Sequence, residues 1–332
     1  MVVKNDEIRV QNVIFVSKIK NLDKFISLNR TLMYQISNQL LKIAVKKTGA
    51  ELCEISSVQN KKQFMWNADP TIWHGFSPIL FPFIGALKKD SYLFNNKSYT
   101  MPKHGFTRRI SKIKLCNQTN NSLTFKLIYD DDLLEIYPFK FEFLITYTLQ
   151  NNIINVKHTV RNLDSKSMYF SLGGHPAFKC PVYEGENYSD YSLVFEHKEN
   201  SETYLINLKT GLQTSETTPV FNNSTTIPLH YNLFDKDALI FKDLKSKKVS
   251  LQSKTHGGIL SVKFDDFPYL GIWAKPNSNY VCIEPWLGIA DQEQTNQELT
   301  KKEGIIKLNA NDIFSASYSI EIYKTHLAKE TI

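Results

Sequence analysis

The stretch at residues 280–291, YVCIEPWLGIAD, joins a strand-like run to a carboxylate. Residues 280–283 are short, apolar and rich in β-branched and aromatic side chains, which predicts a buried strand. Because proline cannot donate to a sheet ladder, Pro285 predicts that the backbone leaves the sheet at Glu284. A buried carboxylate is costly unless it has a partner or a task. Glu284 is therefore either paired with a nearby Lys or Arg or part of a functional site.

Strand-like runs separated by polar turns fill the chain from Met33 onward. Asn151-Asn152 predicts a tight hairpin, because Asn tolerates positive φ, and residues 130–136 predict a short helix. In the last run, alternate residues from Phe314 to Ile322 share one apolar face. The predicted strands cover residues 40–45, 51–58, 64–66, 123–129, 141–149, 153–160, 191–196, 204–208, 238–241, 249–252, 258–264, 270–273 and 313–323.

This pattern predicts an all-β fold, a large antiparallel β-sandwich or barrel in a single domain. We find no internal repeat, low-complexity tract or linker that would divide residues 33–325. Residues 1–32 differ in pattern from the strand-rich remainder of the chain and are predicted to be an N-terminal appendage of unknown role. Residues 326–332 are predicted to be a tail.

Composition narrows the class of protein. The 332 residues are 42% hydrophobic and 22% charged, as in ordinary globular proteins. The net charge of +7 is spread over scattered lysines, which argues against a nucleic-acid partner but leaves anionic ligands such as sugar phosphates open. No apolar run is long enough for a membrane helix, and no secretory signal is evident. The four cysteines form no C-x-x-C pair, which predicts reduced thiols and a cytoplasmic protein.

Polar groups interrupt apolar runs in three places: residues 103–108 (KHGFTR), residues 171–178 (SLGGHPAF) and the stretch around Glu284. The glycine pair before His175 leaves the backbone free of side chains, so that a ligand could approach closely. A single histidine is usually a hydrogen-bonded structural residue. His104, His175 and Glu284 together, each next to Gly or Pro, predict a functional site.

The spacing of these residues limits the chemistry. His74, His104 and His175 could meet in space, but no H-x-x-x-H or C-x-x-C supports a metal site. The chain also lacks the G-x-S-x-G, G-x-G-x-x-G and P-loop signatures. The remaining possibility is a histidine and a glutamate that act as a general acid/base pair without metal or cofactor.

Five stretches in order resemble the aldose 1-epimerase (galactose mutarotase-like) superfamily, in its bacterial branch near the hexose-6-phosphate epimerase-like proteins. They are PILFPFIG at 78–85, MPKHGFTRR at 101–109, SLGGHPAF at 171–178, DALIF at 237–241 and CIEPWLGIAD at 282–291. The likeness extends over residues 33–323. It implies a large antiparallel β-supersandwich that binds a sugar in an open cleft, without metal or cofactor.

The resemblance also implies roles for individual residues. Glu284 matches the family's general base and His175 its general acid. His104 and Asp237 match residues that bind the sugar. An acid and a base that flank one pyranose ring predict a separation of roughly 5 to 8 Å.

Three further residues are predicted substrate contacts. Lys88 stands near the position where many relatives have an arginine, and it would bind as a point charge and not as a bidentate fork. Arg108 follows the HGF motif and would bind a phosphate, or else form an ion pair at the sheet edge. Trp286, like Trp273, offers a flat face to a sugar or belongs to the core.

The predicted function is therefore a cofactor-independent aldose 1-epimerase, an isomerase that interconverts the α and β anomers of a hexose. One alternative is a hexose-6-phosphate 1-epimerase. Another is a non-catalytic sugar-binding or regulatory protein. The expected partner is a small sugar or sugar phosphate, with no nucleic acid and no membrane, and the chain is expected to be a monomer or homodimer.

Overall fold

Short antiparallel strands are the main regular structure of residues 33–328, the part of the chain that the computed structural model describes. The predicted appendage at 1–32 and residues 329–332 of the predicted tail lie outside the described residues. The strands are β1 (Met33–Ser37), β2 (Leu41–Lys46), β3 (Leu52–Ser57), β4 (Ile79–Leu80), β5 (Ser91–Phe94), β6 (Lys97–Thr100), β7 (Lys114–Gln118), β8 (Ser122–Ile128), β9 (Phe141–Gln150), β10 (Ile153–Asn162), β11 (Met168–Phe170), β12 (Leu172–Gly174), β13 (Ala177–Lys179), β14 (Tyr191–Glu199), β15 (Glu202–Ile206), β16 (Gln213–Pro219), β17 (Ser224–Pro228), β18 (Leu239–Phe241), β19 (Lys248–Ser253), β20 (Gly257–Lys263), β21 (Tyr269–Trp273), β22 (Tyr280–Leu287), β23 (Ile306–Leu308) and β24 (Ile313–Ile322).

Helices are few and short in this part of the chain. The α-helix α1 (Asp131–Ile136) begins after Asp130, whose side chain accepts a hydrogen bond from the backbone N–H of Leu133. The 3₁₀ helices are Thr48–Ala50, Lys88–Asp90, Thr107–Arg109, Tyr188–Asp190, Leu299–Lys301 and Lys324–His326.

Two large sheets dominate the described residues. The first has nine strands in the order β17-β14-β19-β20-β24-β10-β9-β8-β7. The second has six, in the order β18-β21-β22-β12-β4, with β13 also paired to β22. Smaller sheets are formed by β1-β2-β3, β5-β6, β11-β23 and β15-β16. The pairing between the strands of the two large sheets is antiparallel throughout.

Aromatic side chains fill the space between the two large sheets. Phe81, which follows β4, stacks on Phe143 of β9 with ring centroids 4.4 Å apart. Phe241 of β18 meets Phe195 of β14 at 6.3 Å. The ring of Tyr318 on β24 lies directly against Gly174 of β12. The two sheets therefore face each other across a common core, which confirms the all-β antiparallel sandwich.

Strands with clear alternation are confirmed. The hairpin at Asn151 joins β9 to β10, and Asn151 has a φ of +53°. On β24, Ala316, Tyr318, Ile320 and Ile322 are buried, as the shared apolar face predicts. The predicted strand at 64–66 is wrong, since this segment makes only an isolated bridge between Met65 and Phe178.

The predicted exit from the sheet at Glu284 is also wrong. The strand β22 continues through Pro285 to Leu287, and Glu284 lies within it opposite Gly271 of β21. On its other edge, β13 pairs with residues 280–282 and β12 with residues 286–287. Pro285 falls in the gap between these two ladders, where its missing N–H removes no ladder bond between strands.

The ends of the folded unit can be compared with the predicted boundaries. The described residues from Gln35 onward belong to one compact unit. His326 and Leu327 are buried, so packing extends two residues beyond the predicted boundary at 325. No helix among residues 33–328 is long and apolar enough to cross a membrane.

Candidate active site

His175 and Glu284 are in direct contact. Glu284 projects from β22, and His175 lies in the bend between β12 and β13, beside the gap in the pairing of β22. The backbone N–H of His175 donates to Pro78, and Pro176 accepts from Ile283. These bonds hold the bend between β22 and the residue before β4, with His175 Nε2 at 3.2 Å from Glu284 Oε1.

This contact is shorter than the sequence predicts. The expected separation of roughly 5 to 8 Å assumed two groups on either side of one sugar ring. At 3.2 Å the imidazole and the carboxyl group are hydrogen-bonded to each other. A ligand must therefore meet the pair from one side and not lie between its members.

Burial favours the neutral form of each member of the pair. It raises the pKa of the Glu284 carboxyl well above its ordinary value, and the Trp286 indole and the Lys103 charge lower it by less. Burial also lowers the pKa of His175 to about 3. A neutral imidazole and a protonated carboxyl group contain the same protons as an imidazolium and a carboxylate. Moving one proton along the contact therefore creates an acid and a base.

The pair opens into a cavity of about 210 Å³. The cavity has a polar end and an apolar wall, both built from segments that are far apart in the chain. Its lining includes four of the predicted sugar-binding residues. The lining residues are Trp73, Ile84, Gly85, Lys103, His104, Arg108, His175, Ile206, Gly211, Asp237, Ala238, Ile240, Trp273, Glu284, Trp286 and Ala290.

His104 is fixed in the cavity by its own backbone. It has a φ of +66°, and Gly105 follows at +73°, where a Cβ would lie 2.2 Å from the carbonyl oxygen of Phe81, so glycine is required. The backbone N–H of Gly85 donates to His104 Nδ1 at 3.1 Å, and the N–H of His104 donates to the Gly85 carbonyl at 2.9 Å. Burial, with His175 nearby, lowers the pKa of His104 well below its ordinary value. The neutral ring therefore carries its proton on Nε2 and can donate it to a ligand.

Two cationic side chains reach the same cavity without a partner among the described residues. Arg108 is half-buried, and its Nε has no hydrogen-bond partner. Burial lowers its pKa, with Arg109 adding to the effect. Lys103 is exposed and forms no ion pair with any described residue. The alternative prediction of an ion pair for Arg108 is not supported among these residues.

Asp237 and Trp286 also border the cavity. Asp237 has a φ of +74°, and one of its oxygens accepts a hydrogen bond from the N–H of Ala238 at 2.7 Å. Trp286 is buried and packs with Leu80 and Ile240. Its indole N–H approaches Glu284 but has no partner in hydrogen-bond geometry. Trp286 thus belongs both to the core and to the cavity wall.

Lys88 does not reach the cavity, which contradicts its prediction as a substrate contact. Its ammonium donates to the backbone carbonyls of Glu293 at 2.7 Å and Thr295 at 3.3 Å. Its backbone N–H donates to Asp291, which is paired with the buried Lys302 at 2.8 Å. Lys88 therefore holds the loop after β22, and Lys103 is the lysine that lines the cavity.

The glycines before His175 have a different purpose from the predicted one. A Cβ on Gly174 would lie 2.6 Å from the hydroxyl of Tyr318, and one on Gly173 would lie 2.8 Å from the carbonyl oxygen of Pro285. At both glycines, other atoms of the protein occupy the space that a side chain or a ligand would need. The pair of glycines allows close packing between the sheets and not the approach of a ligand.

Sequence patterns missed Trp73 beside His175, whereas Trp273 had been assigned to a sugar-binding face or to the core. Trp73 stacks on the His175 ring with centroids 5.0 Å apart, and Trp273 meets it edge-on at 5.9 Å. Trp73 lies in an irregular loop rich in aromatics and proline, where no periodicity marks a site residue. Lys103 was missed as well, although it directly precedes His104.

One set of possible metal ligands gathers among the described residues, and it differs from the histidine group considered from the sequence. It comprises His175, Cys282 and Glu284, and His74 is not part of it. The cavity thus combines a proton-sharing pair with N–H donors, a carboxylate and two cations. This arrangement suits proton transfer on a small, hydroxyl-rich molecule.

Comparison with known proteins identifies the family of this chain. Residues 33–307 match the sequence model of the aldose 1-epimerase family. The plasmid and chromosomal forms of protein LacX from Lactococcus lactis subsp. lactis are 34% identical over 296 residues, which covers 87% of this chain and 98% of theirs. A galactose mutarotase related enzyme from Lactobacillus acidophilus superimposes with a TM-score of 0.83 at 34% identity, over 88% of this chain and 98% of its own. A galactose mutarotase-like protein from Lactobacillus casei gives 0.81 at 28% identity, over 88% and 100%.

Proposed function

Because the chain belongs to the aldose 1-epimerase family of carbohydrate epimerases, we propose that it is a mutarotase that interconverts the α and β anomers of a hexose. The observation that supports this proposal most is the 3.2 Å contact between His175 and Glu284 at the cavity. Spontaneous anomerisation has a modest barrier, so acid and base contributions of about 10²- to 10⁴-fold each are sufficient. The reaction needs no redox or group-transfer step.

The proposed reaction begins when the proton shared by the pair moves to His175. Glu284 then takes the proton of the anomeric hydroxyl, and His175 gives its proton to the ring oxygen. The bond from the anomeric carbon to the ring oxygen breaks, and the aldehyde forms. Rotation about the C1–C2 bond and the reverse proton transfers close the ring on the other face. At the end both side chains carry the protons with which they began.

The other lining residues would bind the sugar. The Nε2–H of His104 donates to a sugar oxygen, and Asp237 accepts from a hydroxyl. Trp73 and Trp273 enclose His175 and limit the water around it, which strengthens its electrostatic interactions. Lys103 favours the carboxylate form of Glu284 and so assists the base.

Replacing Glu284 by Gln tests the mechanism. Glu284→Gln retains the shape of the side chain but cannot accept and return a proton. We expect kcat for anomerisation to fall by about 10²- to 10⁴-fold, while sugar still binds. The measurement is exchange between the anomers of glucose and galactose, followed by NMR.

A matched control is Lys88→Gln, which alters a lysine that the sequence assigned to the site and the structure places outside it. We expect its anomerisation rate to stay close to that of the unchanged protein. A parent protein that binds sugar but does not accelerate anomerisation would support a non-catalytic sugar-binding or regulatory role. Equal rates for the parent and Glu284→Gln would remove Glu284 as the base.

A second candidate, a hexose-6-phosphate 1-epimerase, is favoured by one specific observation. Lys103 and Arg108 both line the cavity, and neither has a partner among the described residues. Arg108 is half-buried without a counter-ion among these residues, which is costly for a site that binds only neutral sugars, and the exposed Lys103 adds a second positive charge to the same cavity. A phosphate on the substrate would compensate them through charge-assisted hydrogen bonds.

Comparing neutral and phosphorylated sugars separates the two candidates. For Lys103→Met and Arg108→Met we expect KM for glucose 6-phosphate to rise about 10- to 150-fold, because a hydrogen bond to a charged group contributes about 1.5–3 kcal/mol. KM for glucose should change much less. Similar changes for both sugars would contradict phosphate recognition, and Lys112→Met, at an exposed lysine paired with Asp130 and Asp132, is the control.

A further inference from the structure

A buried thiol adjoins the acid/base pair and has no assigned purpose. Cys282 lies on β22 two residues before Glu284, so both side chains project from the same face of the sheet. The donor atoms of His175, Cys282 and Glu284 all lie within 4.8 Å of one another, and all three residues are buried. Cys282 is a free cysteine.

Polar atoms without partners mark this cluster. Glu284 Oε2 and His175 Nδ1 are buried without a hydrogen-bond partner. Buried polar atoms are normally satisfied, and unsatisfied ones point to a ligand or a task. Since Oε2 belongs to a side chain that is only 1% exposed, this atom is shielded from bulk solvent.

An imidazole nitrogen, a thiolate sulfur and a carboxylate oxygen are each common zinc ligands. Zinc bonds of about 2.0–2.3 Å place tetrahedral donors roughly 3.5 Å apart. The present limit of 4.8 Å therefore requires shifts of about 1 Å or less, within the range of side-chain rotation. A fourth position would face the cavity.

Charge balance also favours such a cation. Zn²⁺ displaces the thiol proton of Cys282 and the carboxyl proton of Glu284, and both protons leave to solvent. The complex of Zn²⁺, thiolate, carboxylate and neutral imidazole has no net charge, so it avoids the cost of burying an uncompensated ion.

We propose that His175, Cys282 and Glu284 form a binding site for zinc or a similar soft divalent cation, and that occupancy blocks the acid/base pair. The cation takes the lone pairs that proton transfer needs. The block of turnover rests on the proposed function, whereas binding of the cation does not.

Cadmium titration tests the site without catalysis, because a cadmium–thiolate bond absorbs in the ultraviolet. The parent carries Cys116→Ser, which removes the exposed thiol. We expect one equivalent of Cd²⁺ to produce the band, and Cys282→Ser to abolish it. Cys282→Ala serves the same purpose where Cys282→Ser does not fold. Cys180→Ser, at another buried free thiol, is the matched control and should keep the band.

Affinity and inhibition complete the test. Loss of an outer-shell partner already weakens metal binding about 10- to 100-fold, and we expect His175→Ala to weaken Cd²⁺ binding at least as much. Zn²⁺ should inhibit anomerisation, with each variant compared to its own rate without cation, and Cys282→Ser should be much less sensitive. A band that persists in Cys282→Ser, or no band in the parent, would overturn the site. A band lost in Cys282→Ser with no anomerisation in any protein would uphold the site and reject the proposed function.

Discussion

His104 uses its two ring nitrogens for different purposes. Nδ1 accepts from the buried backbone N–H of Gly85, which leaves the proton on Nε2 at the cavity. The residue also adopts a φ of +66°, which few side chains tolerate. Its structural and its proposed binding roles can therefore be separated by choosing substitutions that preserve only one of them.

Asparagine preserves the structural role. In His104→Asn the side-chain oxygen can accept from Gly85, and asparagine tolerates positive φ. We expect stability close to that of the parent and a higher KM for sugar, because the Nε2–H donor is gone. His104→Ala should instead lose about 1–3 kcal/mol, since the Gly85 N–H is left unsatisfied. Thermal unfolding and anomer NMR measure the two effects, and equal stability of both variants would contradict the assigned hydrogen bond.

Individual site residues were predictable where a motif marked them. Glu284, His175, His104, Arg108 and Asp237 all lie at the cavity, as the sequence predicted. Their roles remain proposals. Lys88 and Lys103 show the limit of prediction from motifs, because both are lysines that lie near a motif. Only the tertiary fold decides that one holds a loop and the other lines the cavity.

At the scale of elements, the segment from β12 to β13 positions His175. Its glycines allow β12 to lie against Tyr318 on one side and Pro285 on the other. The strands β4, β12 and β13 have only two or three residues each. Such runs are too short to show alternation, so periodicity could not predict them. The strands β9, β10 and β24 were predictable because they are long enough to show alternation.

Adding one methyl group tests this packing. In Gly174→Ala the new Cβ would lie 2.6 Å from the Tyr318 hydroxyl, so β12 must move. We expect a loss of about 1–3 kcal/mol, as for other overpacked cores, together with reduced anomerisation because His175 shifts with the strand. Gly185→Ala is the control, since no atom lies within 4 Å of its Cβ and only its φ of +82° is unfavourable. Gly185→Ala should retain activity, and full activity in Gly174→Ala would refute the role of this packing.

At the scale of the whole molecule, the contact between His175 and Glu284 depends on pairing between distant segments. The strands β12 and β22 are more than a hundred residues apart in the chain, and the gap between β12 and β13 appears only once both pair with β22. A single sequence shows which residues are polar and where strands begin. It does not show the register across two sheets, and so it indicated the residues of the site but not their separation.

A buried histidine between the two sheets gives the molecule a pH dependence. His158 on β10 is fully buried between Phe143 and Tyr318, and neither ring nitrogen has a partner. Burial lowers its pKa from 6.5 to about 3. Between these values the unfolded chain binds a proton that the folded chain does not. This residue's contribution to stability is therefore present above pH 6.5 and is lost as the pH falls towards 3, by up to about 1.4 kcal/mol per pH unit.

Replacing this histidine should flatten the profile. In His158→Phe a ring of similar shape cannot take up a proton, and its burial leaves no polar atom unsatisfied. We expect the unfolding free energy to fall less steeply between pH 6.5 and 4. The slope should be smaller by up to about 1.4 kcal/mol per pH unit, the contribution of one proton. Denaturant unfolding across this range measures it. His197→Gln, at an exposed histidine, should leave the slope unchanged, and an unchanged slope in His158→Phe would rule out His158 as its source.

Pro285 has a consequence for the shape of the six-stranded sheet. Its carbonyl oxygen faces Gly173, so its nitrogen faces the gap between β12 and β13 as well. An ordinary residue there would offer an amide hydrogen to residues 174–176, and one continuous strand could form along this edge of β22. Proline offers no such donor, which favours the break between β12 and β13 where His175 meets Glu284.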